Sequence, residues 1–133
     1  KELRKVLPKN SAITLDAGTL CLQATDALKY FNPPSLFTPL DFGLVGFSFA
    51  CGLGVKVACP DKTVVSLMGD GGFGMTISEL STAVQYKINT ITIVMNNNSW
   101  GAEKAYQKDF FGKRYIGADI CNPPFHKVAW LLI

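Results

Sequence analysis

Apolar and polar positions change period several times along the chain, and each change predicts an element. "SAITLD" (Ser11 to Asp16) has an apolar centre and predicts a short strand. "LCLQATDALKYF" spaces its apolar residues helically and predicts a helix with Leu20, Ala24, Ala27 and Phe31 on one face. "FNPPSLFTP" is expected as a loop, because paired prolines exclude regular helix. "GFSFACGLGVKVAC" is rich in small residues, as in a helix packed closely on its neighbour, and Pro60 and Asp61 end it. "TVVSLMG" (Thr63 to Gly69) and "TITIVMN" (Thr90 to Asn96) are short apolar runs rich in β-branched residues. That is the pattern of strands buried on both faces.

Between those two runs lies the clearest helical pattern. Thr76 and Glu79 have the spacing of a T-x-x-E capping box, and Ile77, Leu80, Val84 and Ile88 form an apolar stripe. Strand, helix and strand in that order predict a right-handed βαβ unit with parallel strands. The expected fold class is α/β, an open, mostly parallel sheet with helices on both faces. No internal repeat or low-complexity tract interrupts it.

Composition narrows the function classes. The 133 residues make at most one domain, and 48% hydrophobic against 17% charged content suits a well-buried core. A net charge of +3 is too weak a bias to argue for nucleic acid or an anionic membrane surface. The longest apolar stretch, Leu44 to Ala58, is broken by glycines and Lys56, and "KELRKVLPKN" holds no apolar signal region. A cytoplasmic location is expected. Cys21, Cys51, Cys59 and Cys121 show no C-x-x-C spacing beside the single His126, so zinc is not expected and the thiols read as reduced. Both ends read as cut. The chain opens in a charged, helix-like segment and stops on the apolar "HKVAWLLI", so it is expected to be part of something larger, with bare apolar surface near Trp130 to Ile133.

The candidate chemistry lies after the first of the paired strands. Gly69, Gly71 and Gly74 spell G-x-G-x-x-G, the dinucleotide fingerprint, yet Asp70 sits inside the turn where a pyrophosphate would rest. In a βαβ unit both strands end on one edge of the sheet, about 5 Å apart if they are neighbours. Asp70 and the Asn96-Asn97-Asn98 turn therefore converge where open α/β sheets bind ligands. A cation between carboxylate and phosphate reverses the repulsion. One carboxylate, an amide oxygen, a backbone carbonyl, phosphate oxygens and water suit Mg²⁺. The NAD-binding Rossmann reading expects an acid about 20 residues on, and Tyr86 to Met95 contains none. It stays as a rival, as does a plain polar turn for the asparagines.

"GDGG" followed by "NNN" resembles the thiamine-diphosphate motif of the acetolactate synthase and pyruvate decarboxylase superfamily, and the likeness covers nearly the whole chain. The resemblance makes residues 1–133 the diphosphate- and Mg²⁺-binding domain. It implies that Asp70, Asn97 and the main-chain oxygen of Ser99 bind the metal. It implies also that the Gly69-to-Gly72 turn meets the diphosphate, through the amides of Gly71 and Gly72. Gly43 and Val45 would grip the aminopyrimidine through their backbones, with Val45 propping the bent cofactor. An ordinary core valine remains open at that position. "LDAGTL", through Gly18, Thr19 and Leu20, matches a loop near the diphosphate.

"WGAEKAYQKDFFGKRYIGADI" (Trp100 to Ile120) is similar to sulfoacetaldehyde acetyltransferases, which turn sulfoacetaldehyde and phosphate into acetyl phosphate and sulfite. Trp100 is expected to pack near the cofactor, and Lys104 to be the nearest cation for a sulfonate. An amphipathic surface helix with solvated charges is the plainer alternative. Other readings stay open: an acetolactate-synthase-like carboligase or decarboxylase of a 2-oxo acid, or a catalytically silent cofactor-binding fragment. The resemblance further implies a homo-oligomer and a pyrimidine-binding domain, of the same or another subunit, supplying the activating glutamate. No residue of this chain resembles that glutamate.

Overall fold

The computed structural model describes residues 2–131; Leu132 and Ile133, at the end of the apolar tail, lie outside the described residues. The strands are β1 (Ala12–Leu15), β2 (Leu36–Phe37), β3 (Val64–Gly69) and β4 (Ile91–Met95). They form one sheet in the order β2-β1-β3-β4, and every pairing is parallel. The helices are α1 (Glu2–Val6), α2 (Thr19–Ala27), α3 (Phe47–Ala58), α4 (Asp70–Thr76), α5 (Glu79–Gln85), α6 (Gly101–Phe110) and α7 (Phe125–Trp130).

The alternation of side chains in β1 and β3 builds a core on each face of the sheet. Ile13, Leu15, Val65 and Leu67 pack with Cys21, Ala24 and Leu28 from α2 and its end. On the other face Met68 packs with Phe49 and Leu53 of α3 and Phe73 of α4, while Ala12 and Val64 meet Val55. The small residues of α3 have a specific use. A Cβ on Gly52 would fall 2.1 Å from Ser66 Oγ, so the helix lies directly on β3. Thr14, Ser48 and Ser66, all buried, share hydrogen bonds of 2.8–3.2 Å across that contact. Leaving such a hydroxyl unpaired costs about 1–3 kcal/mol, and here each has a partner.

Several local expectations change. The loop around Pro33 and Pro34 contains β2, two residues that pair with Ile13 and Thr14. The buried side of α2 runs through Cys21, Ala24 and Leu28, because Ala27 points to solvent and Phe31 lies beyond the helix, 40% exposed. β3 is buried throughout, but β4 is an edge strand with Ile91 and Met95 half exposed. The single helix expected between them is two, α4 and α5, and the capping box does not form. Thr76 Oγ1 donates to its own helix at the Gly72 carbonyl, and Glu79 accepts from Thr82. Ile77, Leu80, Ala83 and Ile88 reach the core, with Ala83 in the role expected of Val84, which is 47% exposed. Among the described residues no helix is long and apolar enough to cross a membrane.

Candidate functional site

The site is built at the carboxyl edge of the parallel strands β1, β3 and β4. β3 runs into α4 with no intervening loop: Gly69 ends the strand and Asp70 begins the helix. Gly69 is the register partner of Met95, so Asp70 and Asn96 leave the sheet side by side. Asp70 is 2% exposed. The asparagines fold into two consecutive side-chain turns. The Asn98 amide donates to Asn96 Oδ1 at 3.0 Å and the Ser99 amide to Asn97 Oδ1 at 3.2 Å. Asn98 holds a φ of 55°, a left-handed conformation that asparagine tolerates better than most residues.

Two glycines of the turn are required by close approach. A Cβ on Gly71 would lie 2.3 Å from the Trp100 ring, and one on Gly72 would lie 1.8 Å from Asp16 Oδ2. Gly69 has open space around it, and Gly74 has only Phe125 at 4.0 Å. The dinucleotide spelling is therefore not what the backbone needs, since the demanding pair is Gly71 and Gly72. Trp100 packs against the turn, with its ring on Gly71.

A cleft of 560 Å³ opens over this edge, and Gly43, Val45, Gly69, Asp70, Gly71, Gly72, Asn97 and Ser99 all line it. Gly43 and Gly46 adopt φ values of 65° and 88°, which a glycine accommodates and a side chain would strain. The oxygen donors here suit a hard cation: one carboxylate with neutral amide and carbonyl oxygens. Among the described residues no three His, Cys, Asp or Glu side chains cluster.

Three residues escaped the sequence reading. Asp16, at the end of β1 and 3% exposed, accepts from the Gly46 amide at 3.1 Å and the Ser48 amide at 3.3 Å. It joins the Gly43-to-Gly46 segment to the Gly72 turn, and burial pushes its carboxyl above the ordinary 3.8 despite those amides. The only hint in the sequence was its place at a strand end. Asn122 donates to Asp70 Oδ2 at 2.6 Å and lies 3.2 Å from Asn98 Oδ1. Nothing local foretold it, because it arrives from 52 residues away. Glu103, unlike Lys104, lines the cleft. Lys104 is paired with Asp119 and lies 5.7 Å from the Tyr115 ring centre. Among the described residues no lysine or arginine lines the cleft. A second cavity of 360 Å³ adjoins it between α2, the Pro39-to-Gly43 segment and α6, with apolar walls from Leu22, Leu40 and Phe110 and one acid, Asp109.

Residues 16–131 match the family described as thiamine pyrophosphate enzyme, C-terminal TPP binding domain. A sulfoacetaldehyde acetyltransferase from Alcaligenes xylosoxydans xylosoxydans is 33% identical over 129 residues, 97% of this chain and 21% of that protein. The mitochondrial acetolactate synthase catalytic subunit of Aspergillus candidus is 35% identical over 117 residues, 88% of this chain and 17% of that one. Among solved structures, the thiamine diphosphate-dependent 4-hydroxybenzoylformate decarboxylase of Rhodococcus jostii RHA1 superposes with a TM-score of 0.87. It is 26% identical, over 98% of this chain and 24% of that one. The chain thus spans about a fifth of the length of the curated relatives it matches.

Proposed function

The chain belongs to the thiamine pyrophosphate enzymes, as their C-terminal TPP binding domain, and on that premise we propose how it holds its cofactor and what the whole protein does. Asp70, the Asn97 side-chain oxygen and the Ser99 carbonyl hold Mg²⁺, and the cation carries the diphosphate of thiamine diphosphate. Gly69, Gly71 and Gly72 keep that turn free of side chains so that its amides approach the phosphates. The backbones of Gly43 and Val45, which line the same cleft, hold the aminopyrimidine. When bound, the cofactor supplies the carbanion chemistry, while the protein supplies orientation and electrostatics. The observation that carries this reading is the gathering of all these residues on one cleft at the sheet's carboxyl edge.

The proposed reaction is that of a transferase, an acyltransferase acting on sulfoacetaldehyde. A carbon–sulfur bond breaks, sulfite leaves, and phosphate takes the acetyl group as acetyl phosphate. The Trp100-to-Lys104 sequence and the 33% identity to a sulfoacetaldehyde acetyltransferase support it. A pyrimidine-binding domain, of the same or a second subunit in a homo-oligomer, supplies the activating glutamate, and the enzyme works in the cytoplasm. A second reading, a carboligase or decarboxylase of a 2-oxo acid, is favoured by the apolar walls of the adjoining cavity. A sulfonate drawn out of water needs fixed donors or positive charge, as does the carboxylate of a 2-oxo acid, and among the described residues no side-chain cation lines the cleft. On the first reading the countercharge comes from Mg²⁺ or from the partner domain.

Assaying the full-length protein on both substrate pairs separates them. Sulfite and acetyl phosphate from sulfoacetaldehyde and phosphate are expected; pyruvate turnover without sulfite release would overturn the acetyltransferase reading. Asp70→Ala, which removes the one acid proposed as ligand, should lower thiamine diphosphate affinity steeply in calorimetry on folded protein. Unchanged affinity would sink the metal assignment.

A further inference from the structure

We infer that Asn122 is a positioning residue for the metal carboxylate: its carboxamide holds Asp70 Oδ2 and so presents Oδ1 to the cation. This inference rests on Asp70 being the carboxylate ligand proposed above.

The chain goes to some length to bring Asn122 there. After α6 it returns along the asparagine turn, where the Trp100 amide donates to the Ala118 carbonyl at 2.8 Å. The Ile120 amide donates to the Asn98 carbonyl at 3.0 Å. Ser99 and Asp119 form an antiparallel bridge between these bonds. Two residues further on, Asn122 Nδ2 reaches Asp70 Oδ2 at 2.6 Å, with Asn98 Oδ1 at 3.2 Å and Asn96 Oδ1 at 3.4 Å. Three oxygens facing one nitrogen fix which way the carboxamide points, since its own oxygen there would be repelled by all of them. Beyond Asn122, Phe125 packs its ring 5.1 Å from Phe73 in the helix that Asp70 begins. The donor and its acceptor are thus anchored to the same small core.

A free carboxylate turns about its terminal bond and offers either oxygen. Among the described residues the one side-chain hydrogen bond to Asp70 is the one from Asn122, and it goes to Oδ2. That bond fixes the plane of the carboxyl group before any cation arrives and leaves Oδ1 for it. Ligating carboxylates are commonly held in this way, and losing the holding group typically weakens metal binding by 10–100-fold.

The test is a Mg²⁺ titration of the full-length protein at saturating thiamine diphosphate, followed by calorimetry, beside melting temperatures measured without metal. Asn122→Leu keeps the size and removes the donor. It should raise the Mg²⁺ dissociation constant by about 10–100-fold while the metal-free melting temperature moves by a few degrees at most. Asn122→Gln, which restores an amide, should recover part of the loss. Wild-type affinity in Asn122→Leu overturns the inference, and so does an equal loss in both variants or a loss matched by collapse of the melting temperature. Should Asn122→Leu not fold, Asn122→Ser takes its place with an intermediate loss expected, and no loss there also overturns the idea. Asp70→Asn separates the two proposals. If it leaves Mg²⁺ affinity intact, the ligand assignment itself fails; if it abolishes affinity while Asn122→Leu keeps the wild-type value, only the positioning role fails.

Discussion

Asp16 and Gly72 pack against each other, and each constrains the other. Gly72 admits no Cβ because Asp16 Oδ2 occupies that space. Asp16 in turn accepts two amides at the start of α3 that would otherwise be orphaned indoors. Removing it with Asp16→Ala should cost about 1–3 kcal/mol for each amide left unpaired. The charge itself runs the other way. Burial raises the folded-state pKa above 3.8, so the folded protein binds this proton more tightly than the unfolded chain. The stability it contributes is present below the unfolded pKa and is lost as pH rises through the raised folded value. Urea unfolding across a pH series should show the wild type losing stability relative to Asp16→Asn as pH rises above 3.8, then running parallel to it. A constant difference would contradict the shift. At this scale the sequence was legible where chemistry is local. Asp70 and Asn97 could be paired from spacing because one crossover joins their strands. Asp16 and Asn122 reach the same place from β1 and from a distant return segment, and no short motif records that. The G-x-G-x-x-G spelling, set aside in the sequence reading, marks Gly69 and Gly74, which have room, and passes over Gly72, which has none.

Elements were legible by type and less so by setting. β3 and β4 both read as continuous β-branched runs, yet among the described residues β3 lies between two strands and β4 pairs on one side only. Periodicity reports that a strand forms and is silent on its position in the sheet. β2 was missed because two residues carry no period at all, and its existence depends on β1 lying beside it. The helix between β3 and β4 breaks at Ile77 and Ser78, since Asp70 already begins a helix and leaves Thr76 at its end rather than at a cap. α6 has no buried residue, as its amphipathic alternative foresaw, and Lys104 fastens it to Asp119 instead of facing the cleft. Lys104→Ala should therefore cost less than about 1 kcal/mol, as expected of a partly exposed ion pair. It should also leave the KM for sulfoacetaldehyde unchanged. A large rise in KM with normal thiamine diphosphate affinity would return Lys104 to substrate binding.

Taken whole, the molecule is a parallel sheet with a core on each face, as the alternation of strands and helices led one to expect. Apolar surface at Phe42, Ile116 and Trp130, each more than 80% exposed, is of the kind that partner domains cover. The strand order has a further consequence, in time rather than in space. β1 comes first in the sequence but sits inside the sheet, and its long edge waits for Val64–Leu67, about fifty residues later. Contacts so far apart in sequence pay the entropy of closing a long loop before they return anything, which makes such sheets slow to assemble. Asp16 and Asp70 follow directly on these two strands, so the cleft cannot exist until that loop closes. During refolding, pulse-labelling hydrogen exchange should show the amides of β1 and β3 becoming protected together, in the phase in which cofactor binding first appears. Early protection of β1 alone would contradict this order. The proposed cofactor grip is, on this view, a product of long-range closure of the chain and not of any segment that folds by itself.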